Sequence, residues 1–279
     1  MTLLLFLNKI EFCSSHTQKE FDNQTRAYMK NKKQFSTILK TIAQDRDRTN
    51  ILRNGEQKLI AYLVQRVPKW LTSDGLTAIG FLGNLFVGVC FVLASYYNNP
   101  IFLLISLPGF LINWYGDSLD GRLAYYRNTP RKWYGFSLDV TVDWVGLSMI
   151  GLGFFFYAAP NWKWLGYIFV VLYGWEMITA QLRYLVTGKY SIDSGIVGPT
   201  ELRVVLMAII AGEYFFPGSI YYSVIVACAI LVYTNLSDTI NVLKSADARD
   251  DKEKKEKVKE KKKPQKGKRK IDTLVIKAK

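Results

Sequence analysis

The chain has 279 residues, of which 49% are hydrophobic, and its formal net charge is +14 at pH 7. The hydrophobic residues are concentrated between Leu76 and Leu243, and the charged residues lie mostly toward the two ends. This distribution indicates a membrane-embedded centre flanked by polar segments, and it excludes an ordinary soluble domain. Because the positive charge lies in the ends, we predict no nucleic-acid partner. Anionic lipid at a cytoplasmic membrane surface is the simpler partner for these basic ends.

Cysteine and histidine usage narrows the possible chemistry. The three cysteines, Cys13, Cys90 and Cys228, have no paired spacing, so neither a zinc motif nor a disulfide framework is visible. The single histidine, His16, lies in the polar N-terminal part of the chain. Any general base in the apolar part therefore cannot be histidine, and this favours a carboxylate.

Residues 1–67 form the first predicted region, which is polar and cytoplasmic and ends in a segment of helical hydrophobic spacing. Leu59, Ile60, Leu63 and Val67 recur at helical intervals within Gln57–Trp70. The pattern predicts an amphipathic helix that lies along the membrane interface. The alternative, which the pattern favours equally, is an ordinary helix packed on the membrane domain.

Residues 68–243 form the second region, in which apolar segments of about 15–24 residues approach the ~20 that a helix needs to cross a bilayer. Six such segments follow each other, roughly Leu76–Tyr97, Ile101–Tyr115, Asp143–Ala158, Trp164–Leu185, Leu202–Phe216 and Ile220–Leu236. Backbone groups in lipid must be satisfied within the segment, so all are predicted to be helices. The predicted fold class is an all-α integral membrane protein, a bundle of six transmembrane helices. The second and fifth segments are short, and we expect them to tilt or to continue as polar helix.

The charge of the connecting segments predicts the orientation in the membrane. Basic residues are frequent in residues 122–132 and 183–203 and after Lys244, whereas residues 96–100 and 216–219 carry no charge. The alternation predicts that both termini and the aspartate-rich stretch described below are cytoplasmic. The membrane would be the inner membrane of a bacterium or the endoplasmic reticulum of a eukaryote.

Residues 244–279 form the third region, a lysine-rich tail that contains the lysine–glutamate run Asp250–Lys270. Its composition predicts a solvated, disordered cytoplasmic segment. The alternative is loose attachment to anionic lipid, which contributes about 1 kcal/mol for each basic residue near the surface.

Four aspartates lie where the second and third apolar segments meet. Asp117 and Asp120 share one helix face with Ala124, and Asp139 shares a face of the next helix with Asp143. Ionisable residues at membrane depth are functional by default. Two facing helices can direct all four carboxylates at one point, and oxygen ligands alone select magnesium, manganese or calcium. Two such ions would neutralise a diphosphate and align an in-line attack on phosphorus.

This stretch also resembles the signature of the class I CDP-alcohol phosphatidyltransferases, in the order Asp117-x2-Asp120-Gly121-x2-Ala124-x10-Gly135-x3-Asp139-x3-Asp143. The segment Pro68–Thr77 resembles the family's approach to its first span, with Ser73-Asp74 in place of the usual Pro-Asn as an N-cap. The resemblance covers about Pro68 to Leu243. It departs at Tyr125, where the family usually has an arginine that steadies the donor's phosphates.

The resemblance implies a homodimeric six-helix enzyme of phospholipid biosynthesis. Such an enzyme transfers the phosphatidyl group of CDP-diacylglycerol to a small polar alcohol, with release of CMP and with Mg²⁺ or Mn²⁺, two ions, as cofactor. By position, the metal ligands would be Asp117, Asp120, Asp139 and Asp143. Asp143 would also be the general base toward the acceptor hydroxyl.

The same resemblance implies contacts to the donor nucleotide and diphosphate from Asp120, Gly121, Arg122, Ala124 and Gly135. The small residues would let the nucleotide approach the backbone. Arg122 lies one turn before Tyr125 and could replace the missing arginine, and the alternative is a snorkelling interfacial residue. An acceptor would meet a basic wall of Arg183, Lys189 and Arg203, although positive-inside topology explains these three residues as well.

Other functions stay open at this point. The same signature serves transferases that use CDP-choline or CDP-ethanolamine as donor and diacylglycerol as acceptor. A divalent-cation transporter could line its path with aspartates, although these lie together at one face of the membrane. An inactive scaffold is a further alternative, raised by Tyr125.

Overall fold

The computed structural model describes residues 53–188 and 199–262, and this part of the chain folds into seven helices without a strand. The predicted all-α class is therefore confirmed for the described residues. Each predicted apolar segment lies in a helix of its own. The helices are α1 (Arg53–Val64), α2 (Ser73–Tyr96), α3 (Ile101–Tyr126), α4 (Lys132–Tyr157), α5 (Trp164–Thr187), α6 (Pro199–Phe215) and α7 (Ser219–Lys262).

Four helices, α2, α4, α5 and the Ser219–Val258 part of α7, are long and apolar enough to cross a membrane. This is the property of an integral membrane protein. Of the two remaining predicted spans, α6 has only 17 residues and α3 carries the aspartate-rich stretch in its last turns. By length and composition, the structure thus bears out four of the six predicted crossings.

α2 is the helix on which α3 and α4 both rest, and the contacts are made by backbone. A Cβ atom on Gly83 would lie 2.6 Å from the backbone nitrogen of Asn113 in α3, and one on Gly88 would lie 2.6 Å from the carbonyl oxygen of Met149 in α4. Small residues at such positions let membrane helices approach closely. Because α3 and α4 carry the aspartates, α2 fixes the distance between the two halves of the site.

α1 is packed on the bundle, as one of the two alternatives for this segment predicts. Ile60, Ala61 and Val64 are almost fully buried against the start of α2 and the end of α3, while Leu59 and Tyr62 on the opposite side are exposed. The helix ends at Val64 rather than at Trp70. Pro68 disfavours helical conformation in the residue before it, so the chain turns here toward α2.

α2 begins at Ser73, and its N-cap is Thr72 rather than the predicted Ser73-Asp74 pair. The Thr72 side chain accepts a hydrogen bond from the backbone N–H of Gly75 at 3.1 Å. Ser73 instead donates its hydroxyl to the carbonyl oxygen of Asp120 in α3, at 2.6 Å. The start of α2 is thereby fastened to the aspartate-rich end of α3.

Three helices continue for more than two turns beyond the apolar segments that predict them. α3 continues to Tyr126, as expected for a short span, and α4 begins at Lys132 rather than at Asp143. α7 continues to Lys262, so the prediction of a disordered tail from residue 244 is wrong up to that residue. Arg249 pairs with Glu253 at 3.2 Å, an i,i+4 contact of the kind that supports polar helices. The predicted N-terminal region up to residue 52 and the tail from residue 263 lie outside the described residues.

α5 and α7 are joined by polar contacts. The amide nitrogen of Asn235 donates to the carbonyl oxygen of Leu172 at 2.8 Å, and the Trp175 indole donates to the Thr239 hydroxyl at 3.1 Å. Asn235 is fully buried, so its hydrogen bond is formed away from water. These contacts hold α5, which forms one wall of the site, in a fixed rotation.

The turn between α6 and α7 is built on a buried carboxylate that was not among the predicted site residues. Glu213 accepts hydrogen bonds from the backbone N–H groups of Gly218 and Ile220 and from the Tyr157 hydroxyl, each at 2.9 Å. Gly218 has a φ of 92°, which favours glycine. A carboxylate at the start of α7 satisfies N–H groups that have no partner within the helix. Glu213 thus joins the end of α4 to the α6–α7 turn.

Candidate metal centre

Asp117 of α3 and Asp139 and Asp143 of α4 come together in the structure. One carboxylate oxygen from each lies within 4.8 Å of the others, and all three residues are half-buried. Asp139 and Asp143 are one helical turn apart and therefore share a face of α4. Three hard oxygen donors at this spacing can hold a divalent metal ion. The prediction that two helices direct aspartates at one point is confirmed for these three.

Asp120, the fourth predicted ligand, is not a member of this group. Its side chain is buried, and it accepts hydrogen bonds from the Thr77 hydroxyl at 2.8 Å and from the backbone N–H of Gly121. Asp120 therefore joins the end of α3 to α2, and its role as a metal ligand stays a prediction. Gly121, a predicted donor contact, donates its N–H to this carboxylate.

Arg203 of α6 reaches the aspartates from a third helix. Its Nη2 forms a 2.5 Å ion pair with Asp117, and its Nε donates to Asn113 Oδ1 at 2.7 Å. The Asn113 amide nitrogen donates in turn to the carbonyl oxygen of Gly80 in α2, at 3.1 Å. Arg203 thus holds Asp117 in place and offsets part of the repulsion among the three carboxylates. Arg203 was predicted to be an acceptor contact, and Asn113, a polar residue one turn before Asp117 in an apolar segment, was not among the predicted site residues.

The aspartates and Arg203 line a cavity of about 140 Å³. Helices α2 to α6 all contribute to its wall, so the site lies inside the bundle rather than on one helix. Part of the lining is apolar, including Phe110, Leu147, Ile150 and Leu206. The remaining polar lining comes from Asn84, Asn113, Ser118, Tyr173, Gln181 and Thr200.

A second cavity of about 410 Å³ lies beside the start of α2, the end of α3 and the connection to α4. Ala124, a predicted donor contact, lines it. Two arginines line it as well. Arg127 donates to the carbonyl oxygens of Leu71 at 2.6 Å and Pro68 at 2.8 Å, and Arg131 pairs with Asp74. Both side chains therefore brace the rim of this cavity.

The two other predicted donor contacts lie elsewhere. Arg122 is 4% exposed, donates to the carbonyl oxygen of Ser118 within α3 and lines neither of the two cavities. Gly135 lies exposed in the first turn of α4, and among the described residues no atom outside its own stretch of helix lies within 4 Å of the position that its Cβ would occupy. Gly135 lines neither of the two cavities.

The predicted basic wall is not assembled by the residues that the structure describes. Arg183 pairs with Asp238 at 2.5 Å between α5 and α7, and it does not line the cavity of the aspartates. Lys189 lies outside the described residues. Only Arg203, among the three predicted acceptor contacts, is thus found in the cavity.

Two cavity residues on α5, Tyr173 and Gln181, were not anticipated. The side-chain oxygen of Gln181 is buried and accepts no hydrogen bond from the described residues. Buried polar atoms are nearly always hydrogen-bonded, so this oxygen is an exception of functional interest. Neither residue belongs to a recognisable motif, and only their spacing of two helical turns could have suggested a common face.

Neither a scan against models of protein families nor a search of curated proteins finds a match to this chain. The chemistry of the two cavities is thus the basis on which a function can be assigned.

Proposed function

We propose that this protein is a metal-dependent membrane transferase that moves the phosphatidyl group of CDP-diacylglycerol to a small polar alcohol and releases CMP. The observation that carries the proposal is the group of three aspartate oxygens from α3 and α4 on the wall of an internal cavity. Carboxylates among apolar helices are costly and are retained where they bind ions or substrates. The resemblance of Asp117–Asp143 to the CDP-alcohol phosphatidyltransferase signature supplies the substrate class.

The residues present fit a hard divalent cation. Asp117, Asp139 and Asp143 would hold Mg²⁺ or Mn²⁺, and Asp120, one turn beyond Asp117, is the proposed fourth ligand of a two-ion centre. When bound, the ions would neutralise the donor diphosphate and the charge that develops on departing CMP. Arg203 would keep Asp117 oriented toward the cavity through their ion pair.

The reaction that we propose is an in-line substitution at the β-phosphorus of the donor. The acceptor hydroxyl oxygen forms a bond to this phosphorus, and the bond from phosphorus to the oxygen of CMP breaks with its electron pair. Asp143 takes the hydroxyl proton. A positioned carboxylate base contributes about 10²–10⁴-fold to such a step.

The two cavities suggest how the donor would lie. Asp117 and Ser118 line the smaller cavity, and Leu123 and Ala124 line the larger one farther along α3. Seven residues of helix separate Asp117 from Ala124, which is about 10 Å at ~1.5 Å per residue. A nucleotide in the larger cavity could thus extend its diphosphate past Gly121 to the aspartates. Arg122 and Gly135 stay predicted donor contacts.

In this proposal α2 to α7 all cross the membrane, and the termini and the aspartates face the cytoplasm, in a bacterial inner membrane or the endoplasmic reticulum. The protein would act as a homodimer surrounded by membrane lipid. The basic residues that flank the aspartate-rich side support the orientation.

The decisive experiment measures CMP release by the purified protein with Mg²⁺, CDP-diacylglycerol and a panel of alcohols. We expect release with at least one alcohol, loss of at least about 10²-fold in Asp143→Asn, and no change in Asp247→Asn, an exposed acid on α7. Equal activity of wild type and Asp143→Asn would contradict the proposal. Release only from CDP-choline or CDP-ethanolamine with diacylglycerol would assign the second kind of transferase. Cation flux into liposomes without any CDP compound would instead indicate a transporter.

A further inference from the structure

One face of α5 forms a wall of the small cavity. Tyr173, Met177, Ala180 and Gln181 all line it, and their spacing of i, i+4, i+7 and i+8 places them on one side of the helix. Asp143 of α4 lines the same cavity. The wall therefore offers a phenol and a carboxamide to the cavity that the proposed general base also lines.

The Gln181 carboxamide is the group that points to a ligand. Its oxygen is buried and accepts no hydrogen bond from the described residues, although other polar groups of the cavity are engaged. Thr200 donates to Glu56 at 3.1 Å, and Asn113 bonds both Arg203 and the backbone of Gly80. An unbonded carbonyl oxygen in a cavity wall suits a ligand that brings an O–H or N–H donor.

The charges of the cavity disfavour a phosphorylated ligand at this wall. Among the described residues that line it, Arg203 is the one cation, and it is already bonded to Asp117 and Asn113. Arg183 is paired with Asp238 at the α5–α7 contact. The metal ions of the proposed function would pair with the donor diphosphate, so a phosphate group on the acceptor would need a further cation, and none of the described lining residues offers one that is not already bonded.

The volume of the cavity also favours a small acceptor. Its volume of about 140 Å³ is well below the ~300–1,000 Å³ of sites for drug-sized ligands. An acceptor with few heavy atoms fits this space.

Resting on the proposed function, we propose that the acceptor is a small alcohol without a phosphate group that carries a second hydrogen-bond donor. Polyols and amino alcohols are the chemical class. One hydroxyl group faces Asp143 and reacts, and the second O–H or N–H donates to the Gln181 oxygen. The Tyr173 hydroxyl contacts the same molecule and thereby limits the acceptor shapes that can bind.

The test compares matched acceptors in the CMP-release assay with CDP-diacylglycerol and Mg²⁺: glycerol against glycerol 3-phosphate, inositol against inositol phosphate, and serine against phosphoserine. We expect kcat/KM for at least one unphosphorylated member to exceed that of its phosphorylated partner by about tenfold or more, because a site selects strongly through its buried hydrogen-bonding groups. This comparison uses the wild-type protein and does not depend on how a variant folds.

Substitution of Gln181 tests the recognition itself. Gln181→Leu should raise the acceptor KM by about tenfold or more while the KM for CDP-diacylglycerol stays within about twofold. Gln181→Glu retains an accepting oxygen and should recover part of the loss. Gln65→Leu is the matched control, since Gln65 is exposed and lies outside both cavities.

The outcomes separate the inference from the function on which it rests. CMP release that depends on a phosphorylated acceptor, or an unchanged acceptor KM in Gln181→Leu, would overturn the inference and leave the transferase in place. No CMP release from CDP-diacylglycerol with any acceptor would overturn both.

Discussion

At the scale of single residues, Arg203 links three helices at the aspartate centre. It bonds Asp117 and Asn113 of α3 from its place on α6, and Asn113 continues the chain of bonds to α2. The side chains of Arg203 and Asp117 are 14% and 20% exposed, so water screens their pair only in part. A cation among three carboxylates reduces their repulsion as a bound metal ion would.

We therefore predict that Arg203→Gln lowers the stability of the protein and increases the stabilisation that Mg²⁺ provides. Breaking a buried ion pair costs about 3–5 kcal/mol, and the partial exposure here reduces the expected loss to about 2–3 kcal/mol. Added Mg²⁺ should recover more stability in Arg203→Gln than in wild type, because the unbalanced carboxylates gain more from it. Thermal unfolding in detergent with and without Mg²⁺ measures both effects.

The matched control is Arg183→Gln, which breaks the 2.5 Å pair with Asp238 away from the aspartates. This variant should lose stability but respond to Mg²⁺ as the wild type does. If both arginine variants responded alike, the link between Arg203 and the metal centre would be wrong.

At the scale of helices, α2 carries the backbone contacts that position α3 and α4. A Cβ on Gly83 would lie 2.6 Å from the backbone nitrogen of Asn113, which cannot move without moving α3. A helix contact made by backbone leaves no side chain that could adjust its rotamer. Overpacking at such a position disturbs the distance between Asp117 and the two aspartates of α4.

Gly83→Ala should therefore destabilise the protein by about 3 kcal/mol, at the upper end for overpacking, and lower the activity as well. Gly212→Ala is the matched control, since the nearest atom to its Cβ would be the Ser219 hydroxyl oxygen at 3.9 Å. That substitution should be neutral or gain up to about 1 kcal/mol through better helix propensity. Equal unfolding temperatures of the two variants would show that the α2–α3 contact is not as close as described.

At the scale of the whole molecule, the number of crossings depends on α3 and α6. Neither helix meets the length and composition of the other four, and both contribute to the aspartate cavity. If both cross, the ends of consecutive helices alternate between the two sides of the membrane. Accessibility of single cysteines to an impermeant maleimide reads this alternation directly.

In a variant with Cys13→Ser, we expect Tyr97→Cys and Phe216→Cys to be labelled from the outside and Lys132→Cys and Thr187→Cys to be protected. The two remaining native cysteines, Cys90 and Cys228, are buried and should react little. Labelling of Tyr97→Cys and Lys132→Cys from the same side would mean that α3 does not cross. Labelling of Phe216→Cys and Thr187→Cys from the same side would mean that α6 does not cross.

The sequence predicted the helices well and their ends less well. Apolar runs mark only the part of a helix that suits lipid, so they missed the first turns of α4 and the polar part of α7. The convergence of Asp117 with Asp139 and Asp143 was predictable, because helical periodicity places aspartates on one face.

The partners of these aspartates were beyond the reach of a single sequence. Arg203 is 86 positions from Asp117, and no periodicity connects two helices that are so far apart in the chain. Gln181 carries no motif, and its importance follows only from the cavity that it lines. Asp120 was expected beside the other acids, but the Thr77 hydroxyl of α2 binds its carboxylate instead.

The glycine contacts of α2 with α3 and with α4 have a consequence for mutational tolerance. Leu82, Val89 and Val92 are exposed on this helix and can be exchanged for other apolar residues at little cost. Gly83 and Gly88 cannot take even a methyl group without displacing a neighbouring backbone. α2 contributes no carboxylate to the metal centre, yet its glycine contacts with α3 and α4 should be as sensitive to substitution as the aspartates themselves. A screen that scores only loss of activity would therefore report these glycines as part of the active site.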